Sequence, residues 1–438
     1  MTENVPQFVD NDAPLPPIVR GQARSHTGAA PLRPADAHRP AWIRYIAGID
    51  VYTLTVVGML LSISLMMVYS TTFDWGYREF NSRAYFLIRH MQTMAIGLAA
   101  MVIMSLIDYR IIRRFALPAL LAVIGALVAV LLFGDDTFNA RRGLIGGRFQ
   151  PGEAAQLVMV IYMAAWLSGK RTKIRSITYG LIPFAVLVGF IGSLVFLQPD
   201  LSTAAIIFAT SGAMFFLAGA NIIHIAIAGT GIVASVFFMV QQFTYAQDRV
   251  ATYLTGIRDL TQTNYHVQQA VLAFIEGGWF GVGLGAGRQK FGYLPAPHTD
   301  SIFASIGEEL GFFGAAIVIL LYAAFVFRGF TIAYRARDSF GSLLAAGVTI
   351  WLVTQALLNV AVMTAAMPAT GVPLPLISYG GSSMTALLTG VGIMLSVSRV
   401  SAKQQTAMER RTTERANHDR SRRNRGARVS RPRGRRGN

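Results

Sequence analysis

The chain contains no cysteine, so neither a disulfide framework nor a thiolate metal site can form. It is poor in charge, with 14% Asp, Glu, Lys and Arg where soluble domains average about 25%. The first 47 residues are rich in Pro, Ala and Arg and hold no apolar segment, whereas a secretory signal needs about 7–15 apolar residues there. The seven histidines show no metal-ligand spacing, and no GxxxxGK[ST] sequence occurs, so neither a histidine metal centre nor an ATP-driven transporter has support. No internal repeat is visible.

What is abundant is apolar: 53% of the 438 residues are hydrophobic and the mean hydropathy is +0.46. This is the composition of an integral membrane protein. A spanning helix needs about 20 mostly apolar residues, and ten windows qualify, near 53–70, 86–107, 115–133, 154–168, 177–196, 203–219, 222–240, 303–328, 341–364 and 376–397. The fold class expected is an all-α polytopic membrane protein with about ten transmembrane helices. Spans six and seven, parted only around Asn221, should form a tight hairpin. Orientation follows from Lys and Arg in short loops. Arg110, Arg113 and Arg114, then Lys170, Arg171, Lys173 and Arg175, then Arg328, Arg335 and Arg337 share one side with both tails, which is therefore cytoplasmic. Residues 1–47 are expected as a disordered cytoplasmic tail, 48–399 as the membrane domain and 400–438 as a disordered basic tail. From Arg399 onward there are 14 Lys and Arg against 3 Asp and Glu. With so little apolar surface that segment cannot fold a core.

The outer side is unusual. Segment 135–152 carries Arg141, Arg142 and Arg148, and the loop 241–302, far longer than ordinary connections, carries Arg249, Arg258, Arg288 and Lys290. Arginine on the side where positive charge is disfavoured points to an anion, which guanidinium binds in bidentate fashion; headgroup anchoring is the plainer alternative. Four polar stretches also end at the outer face: "RFQPGE" with Gln150 and Glu153, "QPD" with Asp200, "HTDSIFASIGEELG" with His298, Thr299, Asp300, Glu308 and Glu309, and "LPLISYGGSS" with Ser378 and Tyr379. Ionisable groups at membrane depth face a bundle interior or a wet cavity; the alternative is helix capping. Asp300 and Glu308 fit a local glycosidase pair poorly, since eight residues of continuous helix span about 12 Å and such pairs stand about 5–10 Å apart. "GVGLGAG" (281–287) resembles a phosphate loop but lacks strand–turn–helix context, so its glycines serve turns or close packing.

Three stretches, "GGWFGVGLGAGRQKFGYLPAPHTDSIFASIGEELG" (277–311), "QPDLSTA" (198–204) and "TGVPLPLISYGGSSMTALLTGVGIMLSVSR" (370–399), closely resemble the shape, elongation, division and sporulation family of bacterial membrane proteins. The resemblance covers roughly residues 50–400, excludes both tails and is closer to the division branch than the elongation branch. It implies a ten-span peptidoglycan glycosyltransferase of the cytoplasmic membrane, placed at the division septum, that polymerises lipid II, a polyprenyl pyrophosphate-linked disaccharide peptide. Asp300 matches the family's catalytic Asp and Glu153 the Glu of its QPSExxK motif; Arg141, Arg142, Arg148, Arg249 and the other polar residues of the four stretches would bind substrate. The sequence departs from the pattern at Gly143, Gly152 and Gln156, where members carry Trp, Ser and Lys. The implied partners are a class B penicillin-binding protein, other divisome or elongation proteins and the membrane itself; nucleic acid, conceivable for the basic tail on charge alone, ranks below these. No cofactor is implied with certainty, and a divalent cation is the one left open. The alternative function is a lipid II flippase or related precursor transporter.

Overall fold

The computed structural model describes residues 48–429, apart from 134, 138–139, 144–149, 170–173, 243, 257–258 and 260–261. The expected tail at 1–47, the end of the expected tail 400–438 from residue 430 on, Arg148, Lys170, Arg171, Lys173 and Arg258 therefore lie outside the described residues. Each of the ten apolar windows falls on a helix. In chain order these are α1 (Val51–Phe80), α2 (Tyr85–Leu106), α3 (Tyr109–Phe133), α4 (Pro151–Gly169), α5 (Ile182–Phe196, preceded by the π-turn Ile177–Leu181), α6 (Leu201–Leu217) and α7 (Ile222–Gln242). Two further helices occupy the long loop 241–302, α8 (Thr244–Gly256) and α9 (Tyr265–Gly277), before α10 (Ile302–Arg335), α11 (Ser339–Met363) and α12 (Gly381–Val429). A short antiparallel pair, β1 (Asp135–Thr137) and β2 (Ala140–Gly143), follows α3. Among the described residues seven helices are long and apolar enough to cross a membrane; α6 and the first part of α7 are apolar but shorter. The protein is an all-α multi-pass membrane protein.

The segment from residue 400, expected as a disordered tail, is helical as far as Val429. Its first part, "SAKQQTAMERRTTERA", is mostly composed of good helix formers and holds no proline. A helix already nucleated in the membrane propagates through such residues without needing a core.

At one end of the bundle, Asp50 caps α1, accepting from the Thr53 amide at 3.0 Å, and pairs with Arg328 of α10. Hydrogen bonds from Arg328 and Thr53 outweigh the effect of its burial and hold the Asp50 carboxyl below its usual range. Near the other end α10 is interrupted at Gly311 (φ 68°, ψ −168°). The break frees main-chain groups on both sides, and the turn 278–283 satisfies them. Val282 and Gly283 amides donate to the carbonyls of Glu308 and Glu309 at 3.0 and 3.1 Å, and the Phe312 amide donates to Gly278 at 2.8 Å. A Cβ on Gly311 would lie 2.6 Å from the Trp279 carbonyl, so only glycine fits there.

Candidate active site

The turn that precedes α10 is wound tightly. Ala296 has a left-handed φ of 49°, and its carbonyl accepts from the amides of Thr299 and Ser301 at 3.1 and 3.2 Å. The three carbonyls that follow are held one by one from elsewhere in the fold. The Tyr379 amide donates to His298 at 2.8 Å, the Ser378 hydroxyl to Thr299 at 2.6 Å and the Asn359 amide group to Asp300 at 2.7 Å. The supporting turn is strained in its own right, with Leu376 at φ 64°. Such conformations persist only where the surroundings over-determine them.

This anchoring presents Asp300 to a cavity of about 880 Å³ formed by α2, α4, α6, the turn 371–380 and the start of α12. Gln150, Glu153, Asp200, Thr299, Asp300 and Tyr379, expected from four separate stretches, all line it. The Asp300 carboxylate faces Gly371, where a Cβ would come within 3.2 Å of Oδ2. Glu153 sits in the first turn of α4, near Ser382 and Ser383 of α12, and its buried Oε2 has no hydrogen-bond partner among the described residues. Asp200 caps α6, accepting from the Thr203 amide at 3.1 Å.

Other expected site residues lie elsewhere. Glu308 accepts from the amides of Arg288 and, at 3.1 Å, Gln289. Glu309 pairs with Lys290 at 2.6 Å and accepts from Ser70 at 2.5 Å and the Gly285 amide at 3.1 Å. Both carboxylates are buried and staple the glycine-rich segment to α10, so assigning them to substrate is corrected: they are spent on the loop. Ser378 likewise supports main chain through its bond to Thr299, rather than facing the cavity. His298 packs among Trp75, Phe86 and Tyr379, at 5.1, 6.3 and 5.7 Å between ring centroids. It lines a separate cavity of about 320 Å³, and burial pushes its imidazole down to about 4. At neutral pH it is uncharged and cannot act as a cationic contact. Arg249 is tied beside the site, donating to the Ala369 carbonyl at 3.1 Å. Of Arg141 and Arg142 the structure describes the main chain, in β2, which lies against α3 and α4.

Residues that the sequence reading missed complete the lining. Arg89, on α2, stands over the Tyr85 ring at 5.8 Å and is the one cation among the described lining residues. A charge inside an apolar window was the available signal. Gln156, where the family motif has Lys, is buried. Its Oε1 accepts from Trp351 at 2.5 Å and Gln355 at 2.8 Å, and its Nε2 donates to Thr203 at 3.3 Å. At Gly152 a Cβ would meet Thr203 and Asp200 at 3.5 and 3.8 Å, so a serine there would be accommodated. Among the described residues no group of three or more His, Asp or Glu side chains is placed to hold a metal ion.

The family model described as "Cell cycle protein", for FtsW, RodA and SpoVE, matches residues 51–403. Stage V sporulation protein E of Bacillus subtilis is 36% identical over 356 residues, covering 80% of this chain and 97% of its own length. A probable peptidoglycan glycosyltransferase FtsW of Trichlorobacter lovleyi is 36% identical over 359 residues, covering 81% and 94%. Among solved structures, a chain from a peptidoglycan synthase complex that coordinates polymerization and crosslinking aligns with a TM-score of 0.66 at 25% identity, over 81% of this chain and 99% of that one. The rod shape determining protein RodA of Thermus thermophilus aligns at 0.61 and 26% identity, over 82% and 98%.

Proposed function

This chain belongs to the FtsW, RodA and SpoVE family of cell cycle proteins and is a membrane-embedded peptidoglycan glycosyltransferase, and we propose that it polymerises lipid II with Asp300 as general base. The observation that carries this assignment is the clamping of three successive carbonyls, 298 to 300, which fixes one carboxylate at the wall of a cavity of about 880 Å³. The acceptor sugar's 4-hydroxyl oxygen attacks the anomeric carbon of the donor. Its proton passes to Asp300, and the bond to the polyprenyl pyrophosphate breaks with the electron pair leaving on phosphate oxygen. A leaving group already anionic needs cationic stabilisation more than a proton, and the acceptor needs a base. Arg89 supplies positive charge from the cavity lining, and Arg141, Arg142 and Arg249 are further candidates. Glu153 and Asp200 orient the sugar hydroxyls.

The protein acts from the cytoplasmic membrane with both tails inside, at the septum, beside a class B penicillin-binding protein that cross-links the strands made here. An apolar groove of about 940 Å³ between α10 and α11, lined by Tyr322, Phe327, Phe330 and Leu357 among others, is a lipid-facing surface available to a partner's membrane span. The test is polymer formation from purified lipid II in detergent, where there are no sides to cross and flipping cannot contribute. Polymer from the parent protein and none from a folded Asp300→Asn variant is the expected result. Loss of the base should cost roughly 10²–10⁴-fold, and full activity of the variant would end the assignment.

A further inference from the structure

At the end of the molecule opposite the catalytic cavity, three arginines crowd the start of α3. Arg110, Arg113 and Arg114 line a cavity of about 530 Å³ together with Asp338 and Phe340 of α11 and its cap. Their spacing places the guanidinium groups side by side on one turn. They stand at a helix N-terminus, where the dipole disfavours cations, and the first turn of α3 carries no acidic residue.

The carboxylates nearby are already engaged. Asp108 accepts from the Arg110 amide at 2.9 Å. Asp338 accepts from the Tyr109 hydroxyl and from the Gly341 amide at 3.0 Å, and lies 3.7 Å from Arg110. Among the described residues neither Arg113 nor Arg114 has a carboxylate at ion-pair distance; Arg113 lies over the Phe340 ring at 5.7 Å instead. Other arginines at this end are used differently. Arg328 is paired with Asp50, and Arg399 donates to the Leu106 carbonyl at 2.7 Å. Two uncompensated guanidinium groups in a concave site call for an anion that accepts several hydrogen bonds, which is phosphate chemistry.

We propose that this cavity binds the phosphate of an anionic lipid headgroup in the cytoplasmic leaflet. The assignment of leaflet rests on the orientation set by the loop charges. A lipid is favoured over a soluble phosphate because the same turns turn apolar side chains outward: Ile111 is 47% and Phe115 61% exposed. A headgroup on Arg113 and Arg114 would lay its acyl chains over those two residues. Basic pockets between membrane helices on this side take such headgroups.

The test uses the full chain in nanodiscs of equal phosphatidylglycerol and phosphatidylcholine, followed by mild delipidation and counting of retained lipid by native mass spectrometry. Phosphatidylglycerol is expected to be retained over phosphatidylcholine. The double variant Arg113→Gln/Arg114→Gln should lose it on the order of tenfold, while Arg78→Gln/Arg83→Gln, an equal charge change at the opposite end of the bundle, should not. Equal retention in the two double variants, or equal loss, overturns the site. Displacement of the lipid by millimolar inorganic phosphate would make the occupant a soluble anion and overturn the lipid assignment; resistance to it supports the lipid. Lipid II polymerisation by the same preparations reports folding separately. Loss of bound lipid with polymerisation intact keeps this outcome distinct from failure of the glycosyltransferase assignment.

Discussion

Asn359 donates from one side-chain nitrogen to two main-chain carbonyls, that of Asp300 at 2.7 Å and that of Val372 at 2.8 Å. It is 1% exposed on α11, so a membrane helix holds in register two adjacent turns of the cavity wall. The geometry of Asp300 depends on a residue whose side chain does not line the cavity.

Replacing Asn359 with Leu keeps the volume and removes both bonds. Each buried carbonyl left without a donor costs about 1–3 kcal/mol, so the melting temperature in detergent should fall. Because the carboxylate shifts while the lining stays, kcat should fall by at least roughly tenfold with KM little changed. A variant that melts lower but polymerises at the parental kcat would limit Asn359 to stability.

Gln156 gives a different outcome. Its Oε1 is the acceptor for both Trp351 and Gln355, so Gln156→Met strands two buried donors at about 1–3 kcal/mol each. The variant should melt lower yet retain most polymerisation below its melting temperature, because Asp300 and its three clamps are untouched. Loss of activity as complete as in Asp300→Asn, in a protein still folded, would move Gln156 into the chemistry.

Hydropathy made the helices legible because burial in lipid imposes about 20 apolar residues on every span. It also made Glu153, Asp200, Asp300 and Tyr379 legible, since polar groups at membrane depth need a common cavity. The placement of Glu308 and Glu309 was not legible. Whether a residue in the first turns of a helix faces substrate or a neighbouring loop depends on the break at Gly311, and that break is made by a turn about 30 residues earlier. Asn359 and Gln355 were hidden for another reason: an apolar window averages away single polar residues. The helical course of 401–429 was misjudged because absence of a core excludes packing, not propagation from a membrane-held stem.

His298 sets a pH signature. Its folded value of about 4 lies below the 6.5 of an ordinary imidazole, so between these limits the unfolded chain binds a proton that the folded chain refuses. Stability therefore falls as pH drops from about 6.5 toward 4, and the contribution is constant above that window. The melting temperature of His298→Gln, measured in detergent across this range, should decline less steeply than that of the parent. Parallel declines would mean that the imidazole is not held neutral by its aromatic surroundings.

The last prediction concerns the course of α12 beyond Ser401. Beyond Ser401 its contacts among the described residues include Arg337 near the Met408 sulfur at 2.9 Å and Gln404 beside Arg110. None of these lies near Asp300, which sits at the other end of the bundle. The extension is rich in arginine and poor in apolar residues, so its attraction is to anionic surfaces, about 1 kcal/mol per basic residue close to the membrane before screening. Ending the chain at Ser401 should therefore leave lipid II polymerisation in detergent unchanged. In cells the same truncation should reduce enrichment of a fluorescent fusion at the division site. Binding of the isolated extension to phosphatidylglycerol vesicles, and its loss at high salt, would trace that effect to charge. A truncated protein inactive on pure lipid II would instead make the extension part of the polymerising machine.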